Sequence, residues 1–347
     1  MNKGIAYALL GAVLFGASTP IAKLLVGEIG PLMLAGLLYA GSGLGLGSWL
    51  LLRRWIRPVP GRPRLAATDY KWLAGAIVSG GVVGPVLLML ALSLTSASTV
   101  SLLLNLEGVF TALLAWFVFR ENFDRRVMLG MLAIVCGGLV LSWPTGGIST
   151  SLPALAVAGA CLCWAIDNNL TRKISAGDPV QISGIKGLAA GAVNLCASAA
   201  LGATRPALDS VLAAAVVGFF GYGVSLALFV VALRLLGTAR TGAYFATAPF
   251  IGAAMSFALL GEAPDALFWL AAVLIAAGVA LHLFERHRHL HLHEALAHAH
   301  SHTHDEHHRH EHDFAWDGTE PHSHPHAHVP MSHSHEHYPD IHHRHGH

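Results

Sequence analysis

Apolar residues run through the first 284 positions in long, nearly unbroken stretches separated by short polar breaks. Segments such as LAGAIVSGGVVGPVLLMLAL (73–92) and FWLAAVLIAAGVALHLF (268–284) fall in the range of about 17–25 residues that carries a helix across a bilayer. Punctuated by loops and charge, the pattern predicts ten spans, at roughly 4–26, 31–52, 70–93, 97–119, 126–143, 152–171, 180–202, 209–233, 238–260 and 265–284. The runs are too long for strands and are rich in Gly, Ala and Leu, a mix suited to closely packed membrane helices. The expected fold class is an all-α integral membrane body of ten transmembrane helices. Beyond it the pattern changes abruptly. Residues 285–347 are polar, interrupted by Pro and poor in apolar anchors, so they cannot bury a core and are expected to be disordered without a ligand.

Lys and Arg set the orientation. Arg53, Arg54, Arg57, Arg62, Arg64 and Lys71 follow the second span, Arg120, Arg125 and Arg126 the fourth, Arg172 and Lys173 the sixth, and Arg234 and Arg240 flank the turn after the eighth. The alternate loops, TSAS (95–98) and PTGGISTS (144–151), carry no charge, and Arg205 is the main exception. The positive-inside rule then places both termini in the cytoplasm of a multi-pass protein of the cell (inner) membrane. The N-terminal Lys and apolar run resemble a signal peptide, but further spans follow at once, so this segment is read as a retained first helix.

The body repeats itself. ALSLTSASTVSLLLNLEGVFTALLAWFVFRE (91–121) aligns without gaps to ALRLLGTARTGAYFATAPFIGAAMSFALLGE (232–262), 141 positions on, and both close on a glutamate, Glu121 and Glu262. A weaker match joins GAVLFGASTPIAK (11–23) to ACLCWAIDNNLTR (160–172). The unit is five helices, and an odd number of spans inverts the second copy, which is the architecture of secondary transporters. The expected organisation is a first repeat at 1–145, a second at 146–284 and a His-rich tail at 285–347. EGVFTALLAWFVFRE (107–121) and APFIGAAMSFALLGE (248–262) resemble the closing motif of the EamA-type transporters of the drug/metabolite transporter superfamily, with Gly108 and Arg120 departing from the usual Pro and Gly. The resemblance covers residues 4–284. It implies a ten-helix carrier, usually an exporter of small metabolites, and leaves the substrate open.

Composition agrees with a membrane protein, at 54% hydrophobic and 12% charged residues. No basic stripe with interleaved aromatics points to nucleic acid, and no nucleophile–base pair or phosphate loop points to an enzyme. Cys136, Cys161, Cys163 and Cys196 all lie in apolar runs and read as small core residues.

Polar side chains within the spans are the candidates for a substrate path or coupling site, because an ionisable group in hydrocarbon costs about 2.5–3.5 kcal/mol or more and needs a cavity or a partner. Glu107 lies midway along the fourth span beside Asn105. Asp167 lies in the sixth, followed by Asn168 and Asn169, and Lys186 lies at matching depth in the seventh. Asp167 and Lys186 are expected to pair, either as structure alone or with Asp167 also lining the path. Asn194 and Tyr222 are further candidate lining groups. Pro20, Pro85 and Pro249 mark places where a span can break. Glu121 and Glu262 are read as structural.

All 24 histidines lie at or after His282. In the tail they fall in His-x-His steps: His291, His293, His298, His300, His302, His304, His322, His324, His326, His328, His343, His345 and His347. Imidazole is the common transition-metal ligand, so the tract reads as a metal binder, with Zn, Ni, Co and Cu all open and no cofactor required by the body. The sequence thus favours a secondary transporter with the bilayer, a small solute and transition metals as partners. The alternative is a membrane-anchored metal sensor or buffer. The oligomeric state stays open.

Overall fold

A computed structural model describes residues 3–56, 69–119, 125–142, 151–172, 174, 178–236, 238–283, 287–293, 297–302, 322–327 and 331–337. The body, Met1–Glu285, is one compact unit, and the tail, Arg286–His347, another.

Helix occupies each of the ten expected stretches. In chain order the elements are α1 (Lys3–Val26), α2 (Pro31–Ile56), α3 (Tyr70–Ala76), α4 (Gly84–Leu94), α5 (Ala97–Leu103), α6 (Leu106–Phe119), α7 (Arg125–Leu141), α8 (Ser151–Arg172), α9 (Pro179–Ala200), α10 (Leu208–Val217), α11 (Ser225–Leu236), α12 (Thr238–Phe245), α13 (Ala248–Leu260) and α14 (Ala266–Leu283). Among the described residues, seven helical stretches are long and apolar enough to cross a membrane, and α13 and α14 are shorter apolar helices. Their outward rows, such as Leu155, Leu162 and Ile166 of α8, expose large apolar side chains as a lipid-facing surface does.

Four of the expected spans are not the uniform helices that the hydropathy suggested. In the third, a π-helical segment (π1, Ile77–Val83) joins α3 to α4, and in the eighth a second (π2, Gly218–Val224) joins α10 to α11. The fourth turns at Leu104–Asn105, between α5 and α6, and the ninth at Ala246–Thr247, between α12 and α13. These interruptions keep the repeat's spacing: π2 starts and ends 141 positions after π1, and Ala246 stands 141 after Asn105. Pro249 sits in the first turn of α13, where a missing N–H costs no helical bond; Pro85 lies within the continuous helical path from π1 into α4, so its missing N–H leaves a carbonyl of π1 without a donor, and Pro20 is carried inside the unbroken α1.

At the centre α2 and α9 cross with their backbones nearly touching. A Cβ at Gly187 would lie 2.6 Å from Gly43 N, so only glycine lets the two repeats approach this far. Phe15 and Trp164 occupy matching places in the weaker 11–23/160–172 alignment, and they meet edge-on with ring centroids 6.4 Å apart. Around them a buried cluster including Leu34, Leu38, Leu88, Met89 and Val157 forms the core.

The tail departs from its expected lack of structure. Its described parts form two antiparallel ladders, β1 (His287–His293) with β4 (Met331–His337) and β2 (Ala297–His302) with β3 (His322–Ala327). The reason is periodic: His-x-His repeats every two residues, the period of a strand, and strand pairing satisfies backbone groups without a core. His304, His328, His343, His345 and His347 lie outside the described residues.

Candidate substrate path

The site is built where α8 passes π1 and the break between α5 and α6. A π-helical turn leaves carbonyls without their usual i+4 donors, and here side chains from three helices replace those donors. Tyr39 of α2 donates its hydroxyl to Gly80 O at 2.7 Å, and Trp164 of α8 donates Nε1 to the same oxygen at 3.0 Å. Asn194 of α9 donates to Gly81 O at 3.3 Å and Val82 O at 3.5 Å, and its own carbonyl oxygen is buried with no hydrogen-bond partner. Gly80 is required by the approach of α8, since a Cβ there would fall on the Asp167 side chain.

Asp167 and Lys186 meet as a buried pair, with Nζ 2.5 and 2.6 Å from the two carboxylate oxygens. Thr171 donates to Asp167 Oδ1 at 2.8 Å and lies 3.4 Å from Lys186 Nζ. Each charge removes the penalty that the other would suffer in hydrocarbon, and the hydroxyl completes the carboxylate's hydrogen bonding.

Glu107 acquires a partner from the other repeat. Asn168 Nδ2 donates to its Oε1 at 2.7 Å, and no cation pairs with the carboxylate among the described residues. Asn168 is exposed, although it follows Cys161 and Trp164 on the buried side of α8, nearly opposite the lipid-facing Leu162 and Ile166. The Glu107–Asn168 bond therefore joins a half-buried carboxylate to an exposed amide.

The other candidates turn elsewhere. Asn105 is buried and donates to Leu102 O at 2.9 Å, capping the break beside it. Asn169 is buried and donates to Ala165 O of its own helix at 2.8 Å. Tyr222 lies in π2 among rings, 5.9 Å from Phe15 and 5.6 Å from Tyr39. Cys161 points its thiol at Leu103 O and Leu104 O, at 3.7 and 3.8 Å, and the four cysteines are free thiols. No cluster of three or more His, Cys, Asp or Glu positioned to hold a metal ion occurs among the described residues. Sequence reasoning did not single out Tyr39, Trp164 or Thr171. Aromatic residues in an apolar run give no signal of a donor role, and Thr171 has one only through its spacing of four from Asp167 on a helix.

Apolar helices in a twice-repeated pattern, broken at matching points around a buried polar site, define a multi-pass membrane transporter that works on a small-molecule substrate across the bilayer. The chain belongs to the EamA-like transporter family, whose model matches residues 2–143 and again 151–284. It is 28% identical over 289 residues to an uncharacterized transporter of Methanothermobacter thermautotrophicus, covering 77% of this chain and 82% of that protein. It is 25% identical over 278 residues to the uncharacterized inner membrane transporter YedA of Escherichia coli K12, covering 78% and 87%. A solved protein crystal structure shares the fold with a TM-score of 0.59 at 20% identity, over 80% of this chain and 95% of that one.

Proposed function

We propose that this protein is a secondary active exporter of a small metabolite in the inner membrane, working by alternating access of ten spans in two inverted repeats. The observation that carries the reading is the Glu107–Asn168 hydrogen bond: an acid at mid-depth, in no ion pair among the described residues, held by an exposed amide from the opposite repeat. A carboxylate in that position takes a proton, a metal ion or a substrate amine, and its release from Asn168 couples binding to movement between the repeats. Asp167 and Lys186 hold α8 and α9 together beneath it. Transport into inverted vesicles, screened over amino acids, other metabolites and divalent metals, tests the proposal. Glu107→Gln should lower the transport rate roughly a hundredfold, as loss of a proton-transfer group does, while the protein stays folded. Full transport by the folded variant would end this reading.

A second reading concerns the tail, as a cytoplasmic metal-binding appendage that feeds, senses or buffers transition metal. Its support is the strand register, which sets His289 opposite His335, His291 opposite His333, His298 opposite His326 and His300 opposite His324. Opposed positions of this kind suit two-imidazole ligation of Zn, Ni, Co or Cu. Truncation after Phe284 should leave a folded membrane protein that has lost most of its Zn or Ni binding by calorimetry. Equal binding by the truncated chain would refute it. A change in transport on truncation separates feeding and sensing from buffering.

A further inference from the structure

Glu262 was expected to be structural, and it makes a contact between the two repeats. It follows Gly261, whose left-handed conformation (φ 65°) ends α13. From there its carboxylate reaches the first turn of α5 in the other repeat: Oε1 accepts from Ala97 N–H at 2.7 Å and Oε2 from Ser98 N–H at 2.9 Å. The next donor, Thr99 N–H, is taken by the N-cap Ser96 Oγ at 3.3 Å, and Val100 N–H by Ser96 O at 3.1 Å. All four N–H groups that begin α5 are thus satisfied, and two of them only while the repeats are closed at this end.

The surrounding structure marks this end as the closed one. Ser210 Oγ donates to Glu28 Oε2 at 2.6 Å, a second polar tie between the repeats. Lys23 Nζ donates to Leu92 O at 2.6 Å and Thr95 O at 3.0 Å, holding the end of α4 beside α5. All these ties lie in or beside the loops that carry no Lys or Arg apart from Arg205, the non-cytoplasmic face by charge, whereas the exposed Asn168 is near the opposite end of α8. α5 is only seven residues long and is separated from α6 by the turn at Leu104–Asn105, so it can tilt without dragging the rest of its span.

We infer that Glu262 is the clasp of the non-cytoplasmic gate, holding α5 shut against α13, and that opening to that side requires its carboxylate to release Ala97 and Ser98. This rests on the alternating-access reading, but its test needs no substrate. Spin labels at Ser93→Cys and Ala263→Cys, in the full chain with the native cysteines replaced, report the distance across this face in proteoliposomes. Glu262→Gln loses one of the two acceptor oxygens. Ala97→Pro deletes one donor at a position where proline is tolerated, because Ser96 is extended (ψ 147°) and residue 97 opens the helix. Each variant should raise the open-to-closed ratio roughly tenfold or more, the scale of a hydrogen bond to a charged group. Ser210→Ala should shift it the same way by less. Asp265→Asn is the control: Asp265 caps α14 within its own repeat, accepting from Phe268 N–H at 2.8 Å, so its loss should lower stability and leave the distance unchanged. A wild-type distribution in folded Glu262→Gln and Ala97→Pro, or an equal shift in Asp265→Asn, overturns the clasp. If Glu262→Gln does not fold, Ala97→Pro decides alone.

Discussion

In one half of the bundle α6 meets α8 through a carboxylate and an amide; in the other the equivalent pair, α13 and α1, meets backbone on backbone. The residue 141 positions after Glu107 is Ala248, and the residue aligned with Asn168 is Thr19. A Cβ at Gly16 of α1 would lie 3.1 Å from Gly252 N and 3.2 Å from the Ala248 carbonyl carbon, so no room for polar chemistry is left there. The π segments differ in the same sense. Gly80 of π1 faces Asp167, and its counterpart Gly221 of π2 faces Ser18. Aligning Pro31 with Pro179, which open α2 and α9, also sets Leu38 opposite Lys186, so the Asp167–Lys186 pair has the counterpart Ser18 and Leu38. Each repeat supplies one side of both contacts, so the division of work runs between two seams of the bundle: one carries the charged and amide groups, and the other packs tightly enough to act as a rigid frame.

The sharpest test of that division removes the charge from the polar half. Lys186→Met alone strands Asp167 in the interior and should cost about 3–5 kcal/mol of stability, read from unfolding in lipid or detergent. Asp167→Ser with Lys186→Leu copies the quiet half and should restore stability to near wild type. A double variant as weak as the single one would mean that the pair does more than neutralise itself. Next in size is the reverse graft. Ala248→Glu puts an acid where the quiet half has no amide to receive it and should cost about 2.5–3.5 kcal/mol, whereas Glu107→Ala should barely change stability. A mild Ala248→Glu would show that the quiet half holds unoccupied space.

Smaller effects discriminate between the two π segments. Gly80→Ala drives a methyl group into the Asp167 side chain and should cost roughly 1–3 kcal/mol. Gly221→Ala should cost less, because Ser18 presents fewer atoms and no charge to displace. Equal costs would remove the distinction. The smallest effect is Ser18→Ala, at most about 1 kcal/mol, because its hydroxyl donates to Phe15 O of its own helix, at 2.6 Å.

How much of this could be read from the chain depends on the range of each interaction. Hydropathy located the helical stretches because lipid imposes the same demand on every span. The 141-residue repeat was visible because the two copies have kept their spacing. The Asp167–Lys186 pair was legible because consecutive helices run antiparallel and depth can be counted from their shared end. The Glu107–Asn168 bond was not, since it joins the two repeats and no local rule brings the fourth span to the sixth. Of the four interruptions, those in the third and ninth spans were signalled by Pro85 and Pro249, whereas those in the fourth and eighth stayed hidden for another reason. Leu103–Leu104 and Gly218–Phe219 look like continuous apolar helix, and even at π1 the donors that satisfy the freed carbonyls come from Tyr39, Trp164 and Asn194 on three other helices. Glu262 was seen but its role was not, because its partners are backbone amides, which any residue supplies. The repeat places Glu121 at the matching position, outside the described residues.

The glycine crossing of α2 and α9 also sets an order of events during synthesis. Gly187 is made 144 residues after Gly43. At about 5–20 residues per second, the ribosome delivers the second glycine surface roughly 7–29 s after the first. Throughout that interval α2 is in the membrane with the face meant for another backbone turned toward lipid or toward other nascent helices. The first five helices therefore cannot finish folding by themselves: their central seam is supplied by a helix that does not yet exist. A chain cut between the repeats should be unstable as either half alone and become competent only when both halves are expressed together.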